Sequence, residues 1–165
     1  MIKDTTLHYK TPEEIKAFQE ARLREALAYL QEHSAFYRRM FESNNIDIAA
    51  IKCIEDLAQL PTTSKQDLQS HNADFLCVDP VEVIDYVTTS GTLGEPVTFA
   101  LTENDLQRLA YNEASSFTMT GCTKEDVMQL MTTIDRRFMA GLAYFMGARE
   151  LDGTVNQSEQ GVILA

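Results

Sequence analysis

The N-terminal region of the chain repeats apolar residues at the spacing of an amphipathic helix. A stripe near a period of 3.6 residues, with most charged side chains outside it, predicts a long helix that buries one face. Thr11, Pro12 and Glu14 mark its start, because Thr is a common N-cap, Pro suits the first helical position, and a Glu three residues after the cap can reach back to it. The stripe consists of Ile15, Phe18, Leu23, Leu27 and Leu30.

Shorter helices are predicted to follow, each between a start signal and a stop signal. Ser34 is a typical N-cap, and Asn44-Asn45 suits a left-handed C-terminal turn. The remaining signals are Pro61, which ends a short helix over 55–60, and Thr63 or Ser64, which starts one over 65–70. Residues 1–75 are therefore predicted to be helical, and we assign a helical N-terminal region to 1–80.

The pattern changes near residue 81 to an alternation of strand-like runs and helices, which predicts an α/β sheet domain over 81–165. Thr102 and Asp105 form a capping pair at the start of its first helix, and Gly121 follows the end of that helix. We expect one compact unit with the helical region. The predicted elements are strands over 83–87 and 97–101, a helix over 103–119, a β-rich run over 126–134 and a helix over 137–151.

Composition narrows the classes of partner. The chain has a hydrophobic fraction of 44% and a formal net charge of −11, so it is an ordinary globular chain whose acidity opposes binding to nucleic acid and to anionic membranes. No apolar run approaches the roughly 20 residues of a membrane span, which predicts a cytoplasmic location. Cys53, Cys77 and Cys122 are far apart, so we expect buried, inert thiols and no metal site.

The segment Thr88–Pro96 holds the residues with the clearest candidate chemistry. Glycines let a backbone approach an anion with its N–H groups turned inward, and Ser and Thr hydroxyls donate further hydrogen bonds to phosphate oxygens. This composition predicts a phosphate cradle. A plain hairpin turn is the alternative, because the same residue types dominate turns. The Walker pattern is absent, and a strand rather than a helix follows the loop.

Four segments in order resemble the adenylate-forming phenylacetate-CoA ligases and their relatives. The segment at 89–96, TSGTLGEP, resembles the phosphate loop of that family, in which Ser or Thr is followed by Ser-Gly-Thr-Thr-Gly-Lys-Pro. The other three are SAFYRRMF at 34–41, IEDLAQLPTTSKQDL at 54–68 and GLAYFMGARELDGTV at 141–155. The resemblance covers residues 30–155 and identifies the fold as that of the adenylate-forming enzymes.

The resemblance implies a reaction in two steps with ATP, Mg²⁺ and coenzyme A. A small carboxylic acid and ATP give an acyl-adenylate and pyrophosphate, and coenzyme A then displaces AMP to form a thioester. The implied ATP phosphate-binding residues are Thr89, Ser90, Gly91, Thr92 and Gly94.

Two positions of the loop depart from the family pattern. Leu93 replaces a threonine, which removes one hydroxyl donor, and Glu95 replaces a lysine, which places negative charge beside a polyphosphate. Both changes predict a weaker phosphate site than in the relatives.

The resemblance also implies a pocket for the acid, with Phe138 and Gly141 matching the family's aromatic and glycine-rich stretch. Arg136 and Arg137 do not match that stretch. An arginine there suits a polar or anionic group on the substrate, because its planar fork matches carboxylates. The alternative is a solvated turn in which Asp135 pairs with an arginine.

The chain is expected to be an N-terminal fragment that is inactive alone. The family's Mg²⁺-binding Glu segment, the Asp that holds the ribose and the C-terminal lysine have no match here, and no catalytic residue is assigned. A non-catalytic nucleotide-binding or scaffold module with the same fold is the alternative. Apolar surface around Leu142, Phe145 and Met146 predicts self-association if no other chain covers it.

Overall fold

A computed structural model describes residues 9–89, 96–131 and 139–157. The chain divides after Asp79 into two compact units, which are described one at a time. The expectation of one compact body stays a prediction, as do the domain bounds taken from the sequence.

The first unit is helical, and its helices start and end where the sequence predicts. The Thr11 hydroxyl accepts a hydrogen bond from the Glu14 N–H at 3.3 Å, and the Glu14 carboxylate accepts one from the Thr11 N–H at 2.8 Å. Ser34 caps the second helix, and Asn45 follows it with φ 54°. The helices are α1 Pro12–His33, α2 Ala35–Ser43 and α3 Lys65–Ser70, with 3-10 turns at Ile48–Ala50, Ile54–Gln59 and Asn72–Phe75.

A small apolar core holds the first unit together. Leu27 of α1, Phe41 of α2 and Ile51 are buried, and they pack with half-buried neighbours that include Leu23, Leu30, Tyr37, Met40, Ile46, Ile48 and Leu60. Leu27 and Leu30 belong to the predicted stripe, so that face of α1 is confirmed as the packed one.

The second unit alternates strands and helices. β1 Asp85–Thr88 pairs antiparallel with β2 Thr98–Leu101, whereas β3 Val127–Leu130 pairs parallel with a strand that the sequence did not predict. That strand, β4, spans Thr154–Gln157. The helices are α4 Glu103–Met119 and α5 Met139–Glu150, and a 3-10 turn spans Pro80–Glu82.

Local sequence signals predict the bounds of α4 accurately, and they predict the bounds of the strands less accurately. The Thr102 hydroxyl accepts from the Asp105 N–H at 3.3 Å, and Gly121 follows the helix with φ 89°. The run at 83–87 predicted an earlier strand start than Asp85, and the β-rich run at 126–134 yields a strand only over Val127–Leu130 within its described residues.

The contact between α4 and α5 is made by small side chains. Ala110 and Ala114 are buried on α4, and the buried residues of α5 are Gly141, Ala143, Gly147 and Ala148. Small residues let two helix backbones approach closely, so α4 and α5 pack directly against each other.

Candidate phosphate-binding site

The predicted phosphate segment joins two paired strands. β1 and β2 run antiparallel in a register that places Thr88 opposite Thr98. Beyond this last pair, the Thr89 N–H donates to the Val97 carbonyl oxygen at 3.0 Å, and the Val97 N–H donates to the Thr89 Oγ1 at 3.0 Å. The antiparallel hairpin expected from the sequence is therefore confirmed, and the loop leaves it between Thr89 and Val97.

Both ends of the loop are fixed to the unit by buried side chains. Val87 in β1 and Val97 before β2 are each 2% exposed. Thr89 is exposed, so its side chain lies at the surface although its main chain continues the hairpin. The described residues on both sides of segment 90–95 are therefore packed into the second unit.

The Thr89 hydroxyl accepts a hydrogen bond within the hairpin. A threonine hydroxyl has one O–H donor and two acceptor positions, and the bond from Val97 uses one acceptor position. A threonine hydroxyl in this position can donate to an anion while the bond from Val97 orients its oxygen. The other predicted phosphate-binding residues, Ser90, Gly91, Thr92 and Gly94, lie outside the described residues, as do Leu93 and Glu95.

Of the predicted acid-pocket residues, only Gly141 is described. It lies in the first turn of α5 and is one of the buried residues of that helix. Phe138, Arg136 and Arg137 lie outside the described residues, and so does Asp135. The acid pocket stays a prediction.

Among the described residues, the lowered carboxyl pKa values belong to an ion pair and to helix caps. The hydrogen bond from Lys16 lowers the pKa of the Glu55 carboxyl from 4.5 to about 2. The Asp56 carboxylate accepts from the Lys52 and Cys53 N–H groups, and these bonds lower its pKa. The Ser64 hydroxyl and N–H similarly lower the pKa of Asp67 at the start of α3. These shifts have structural causes within the first unit.

The three cysteines are half-buried, so the expectation of buried thiols is wrong. Burial raises the pKa of the Cys77 thiol. Cys53 lies with Glu20 and Glu55 in a group whose ligand atoms are within 4.8 Å of one another. This group is a poor match to Mg²⁺, because Mg²⁺ prefers oxygen ligands and Lys16 Nζ already pairs with Glu55 Oε1 at 2.6 Å.

An apolar cavity of about 240 Å³ lies in the second unit, and the sequence analysis missed it. It is lined by residues of α4, α5 and both parallel strands, including Phe117, Met128, Leu130, Tyr144 and Val155. These residues are separated by up to 38 positions in sequence, and β4 was not predicted, so no local pattern indicated that they meet.

None of the helices in the described part of the chain combines the length and the apolar character that crossing a membrane requires.

The known proteins that are similar to this chain are named as acid-CoA ligases. No protein-family model matches the chain. The phenylacetate-coenzyme A ligase of Thermus thermophilus is 34% identical over 144 residues, which are 87% of this chain and 32% of that protein. The enzyme of the same name from Escherichia coli is 30% identical over 144 residues, which are 87% of this chain and 33% of that protein. The chain therefore spans about a third of the length of these relatives.

Solved structures of 2-hydroxyisobutyryl-CoA ligase share the fold. The complex with 2-HIB-AMP and CoA in the thioesterification state has a TM-score of 0.84 at 26% identity, over 92% of this chain and 33% of that chain. The postadenylation complex with 2-HIB-AMP has a TM-score of 0.83 at 24% identity, over 92% of this chain and 32% of that chain.

Proposed function

We propose a function from the premise that this chain is a relative of the phenylacetate-CoA ligases and has the α/β fold of part of an adenylate-forming CoA ligase. On this premise, the chain supplies the ATP phosphate-binding part of such a ligase. The reaction of the whole enzyme would join a small carboxylic acid to ATP as an acyl-adenylate, release pyrophosphate, and then form a CoA thioester with loss of AMP. The observation that carries the proposal is the anchored β1–β2 hairpin, which presents the segment TSGTLGEP.

The loop would act on charge that develops as pyrophosphate leaves. Hydroxyls of Thr89, Ser90 and Thr92 would donate to the β- and γ-phosphate oxygens, and the N–H groups of Gly91 and Gly94 would complete the cradle. Donors fixed before the reaction stabilise a leaving anion without a cost of reorganisation. The hydrogen bond from Val97 to Thr89 supports this role, because it orients one of these hydroxyls.

Magnesium would accompany ATP and lower the charge that the loop must accept. Since the Glu20, Cys53 and Glu55 group does not suit Mg²⁺, no step is assigned to a metal held there. Glu95 makes the need for charge compensation greater than in a loop with lysine at that position.

The proposed substrate is a small carboxylic acid with a polar or anionic group. The curated relatives are named for phenylacetate and the solved ones for 2-hydroxyisobutyrate, so small acids of differing polarity occur among proteins similar to this chain. Arg136 and Arg137 favour a polar acid here, and Phe138 and Gly141 would border the pocket.

A non-catalytic nucleotide-binding or scaffold module is the second candidate. The observations that favour it are Glu95 and Leu93 in the loop. Both candidates predict that this chain alone does not turn over, because positioning the carboxylate against the α-phosphorus supplies on the order of 7–11 kcal/mol of such a barrier. Pyrophosphate exchange measured with a panel of acids separates the two candidate functions. If the chain is part of a ligase, exchange activity appears when the remainder of a ligase is supplied. If the chain is a scaffold module, no exchange activity appears.

Calorimetric titration with Mg-ATP, ADP and AMP tests the phosphate site itself. We expect affinity to fall from ATP to ADP to AMP, and Ser90→Ala to weaken ATP binding by roughly fivefold, since one hydrogen bond to a charged group is lost. Ser70→Ala in α3 is the matched control and should bind ATP as the parent does. Equal affinity for ATP and AMP would rule out the phosphate site.

A further inference from the structure

The apolar cavity of the second unit is enclosed by four elements. Phe117 of α4, Leu130 of β3, Tyr144 of α5 and Val155 of β4 line it, and its volume is about 240 Å³. Leu130 is 8% exposed and Tyr144 is 39% exposed, so the cavity is deepest at β3 and opens to solvent beside Tyr144. It is therefore a concave site with an entrance rather than one exposed face of the sheet.

The volume of the cavity restricts the size of a ligand. Sites for drug-sized ligands measure about 300–1,000 Å³, so ATP and coenzyme A are too large for this one. An apolar cavity of about 150 Å³ is sufficient to bind benzene. A molecule with one ring or two fused rings therefore fits the cavity.

The lining of the cavity favours a neutral ligand. Among the described residues, none that lines it carries a charge, and the polar side chains of the lining are Cys122, Gln129 and Tyr144. Burying a carboxylate without a cation beside it is costly. The cavity therefore differs in chemistry from the acid pocket predicted at Arg136 and Arg137.

The apolar part of the lining favours an aromatic ligand. The ring centroids of Phe117 and Tyr144 are 6.4 Å apart, and the two rings are tilted by 51°. Aromatic rings attract one another in tilted and edge-to-face arrangements at centroid distances of about 4.5–7 Å. Met128 also lines the cavity, and a thioether sulfur makes favourable contacts with aromatic rings. A ligand ring would thus meet two aromatic side chains and a thioether.

We propose that this cavity is a binding site for a neutral molecule with one aromatic ring or two fused rings. The ligand enters beside Tyr144, and its ring lies against Phe117 and Met128. The site is distinct from the predicted acid pocket, because Ala148 in its lining lies about two helical turns beyond Gly141 on α5. The inference goes beyond the proposed function and does not depend on the phosphate loop.

Fluorescence titration with indole tests the proposal on the 165-residue chain. The chain has no tryptophan, so the emission of indole can be followed without a background from that residue. We expect the emission to move to shorter wavelength and the binding to saturate at one indole per chain. Indole-3-carboxylate should bind roughly tenfold more weakly, because the lining has no cation to pair with its carboxylate. Mg-ATP should not displace indole.

Alkylation of the cysteines locates the bound indole. Cys122 lines the cavity, so saturating indole should slow its reaction with iodoacetamide roughly threefold or more, because access limits the reaction of a thiol. Cys53 and Cys77 belong to the first unit and should react at unchanged rates. Mass spectrometry of the alkylated peptides measures all three rates in one sample.

Cys122→Phe and Val155→Phe each fill the cavity from a different side and should abolish indole binding. Met119→Phe is the matched control, because Met119 of α4 is 80% exposed and lies outside the lining, and this variant should bind indole as the parent does. Circular dichroism identifies a variant that fails to fold, and in that case the protection of Cys122 in the parent decides the question.

Four results would each overturn the proposal: no saturable binding of indole, equal affinity for indole and indole-3-carboxylate, displacement of indole by Mg-ATP, or unchanged alkylation of Cys122. Normal indole binding by a folded Cys122→Phe variant would also overturn it. Loss of ATP binding with intact indole binding would refute only the phosphate site.

Discussion

Thr89 and Val97 close the two ends of the β1–β2 loop with a reciprocal pair of hydrogen bonds. The Thr89 N–H donates to the Val97 carbonyl oxygen, and the Val97 N–H donates to the Thr89 side chain, both at 3.0 Å. In the second bond, the Thr89 hydroxyl takes the place of the main-chain carbonyl that accepts in a regular strand pair. The residue that we expect to contact phosphate thus also fixes the geometry of the loop.

Replacing Thr89 with valine should weaken ATP binding. Valine keeps the shape of threonine but removes both the acceptor for the Val97 N–H and the donor for phosphate. A hydrogen bond contributes about 0.5–1.5 kcal/mol, so calorimetry should show affinity roughly three- to tenfold lower. Thr88→Val, one residue earlier in β1, is the control. Equal weakening by both variants would assign the effect to strand pairing.

Replacing Glu95 with lysine should strengthen ATP binding. The change reverses a charge beside a polyphosphate, which is a difference of two unit charges. Each unit charge at about 4 Å contributes on the order of 1 kcal/mol in water, so a gain of roughly thirtyfold is expected. The gain should shrink as ionic strength rises, because salt screens exposed charges. Glu82→Lys makes the same change before β1 and should give a much smaller gain. No gain from Glu95→Lys would mean that the phosphates bind away from residue 95.

Replacing Gly147 with alanine should destabilise the second unit. A Cβ at Gly147 would lie 2.3 Å from the Cβ of Glu113 and 3.1 Å from the main-chain nitrogen of Ala114, so α5 would have to move away from α4. Overpacking of this kind costs about 1–3 kcal/mol of unfolding free energy, measurable by urea denaturation.

A double-mutant cycle separates this clash from the effect of alanine itself. Glu113→Gly removes the opposing Cβ, so Gly147→Ala should cost less in that background than in the parent. Additive losses would show that the two positions do not meet.

The Lys16–Glu55 pair should make the stability of the first unit depend on acidity. Lys16 holds the pKa of the folded Glu55 carboxyl at about 2, below its ordinary value of 4.5. As pH falls from 4.5 to about 2, the unfolded chain takes up the proton first, so the contribution of the pair is lost across that window and is complete above it. The midpoint temperatures of thermal unfolding of Glu55→Gln and Lys16→Gln should be lower than that of the parent at pH 7. The difference should disappear near pH 2. A gap of constant size would contradict this linkage.

Helix boundaries could be predicted from the sequence because their signals are local. Thr11, Ser34, Ser64 and Thr102 each accept a hydrogen bond from an N–H three residues later. A few neighbouring residues identified Thr11, Ser34 and Thr102, and narrowed the start of α3 to Thr63 or Ser64. The C-terminal signal of α4 at Gly121 is equally local.

The missed parts depend on contacts between distant residues. β4 has four residues, two of them the polar Asn156 and Gln157, and it is a strand because it pairs with β3. Conversely, Ile84 belongs to an apolar run yet precedes β1 and is 52% exposed. At the candidate site, composition indicated the loop, whereas the bond between Thr89 and Val97 required the register of β1 with β2.

Hydrogen-exchange mass spectrometry with and without Mg-ATP tests the central claim most directly, because it shows where the nucleotide binds. We predict that ATP slows amide exchange in peptides that span residues 86–99, that AMP slows it less, and that Ser90→Ala removes the difference. Protection by ATP confined to other parts of the chain, or equal protection by ATP and AMP, would contradict the assignment of this loop as the phosphate site.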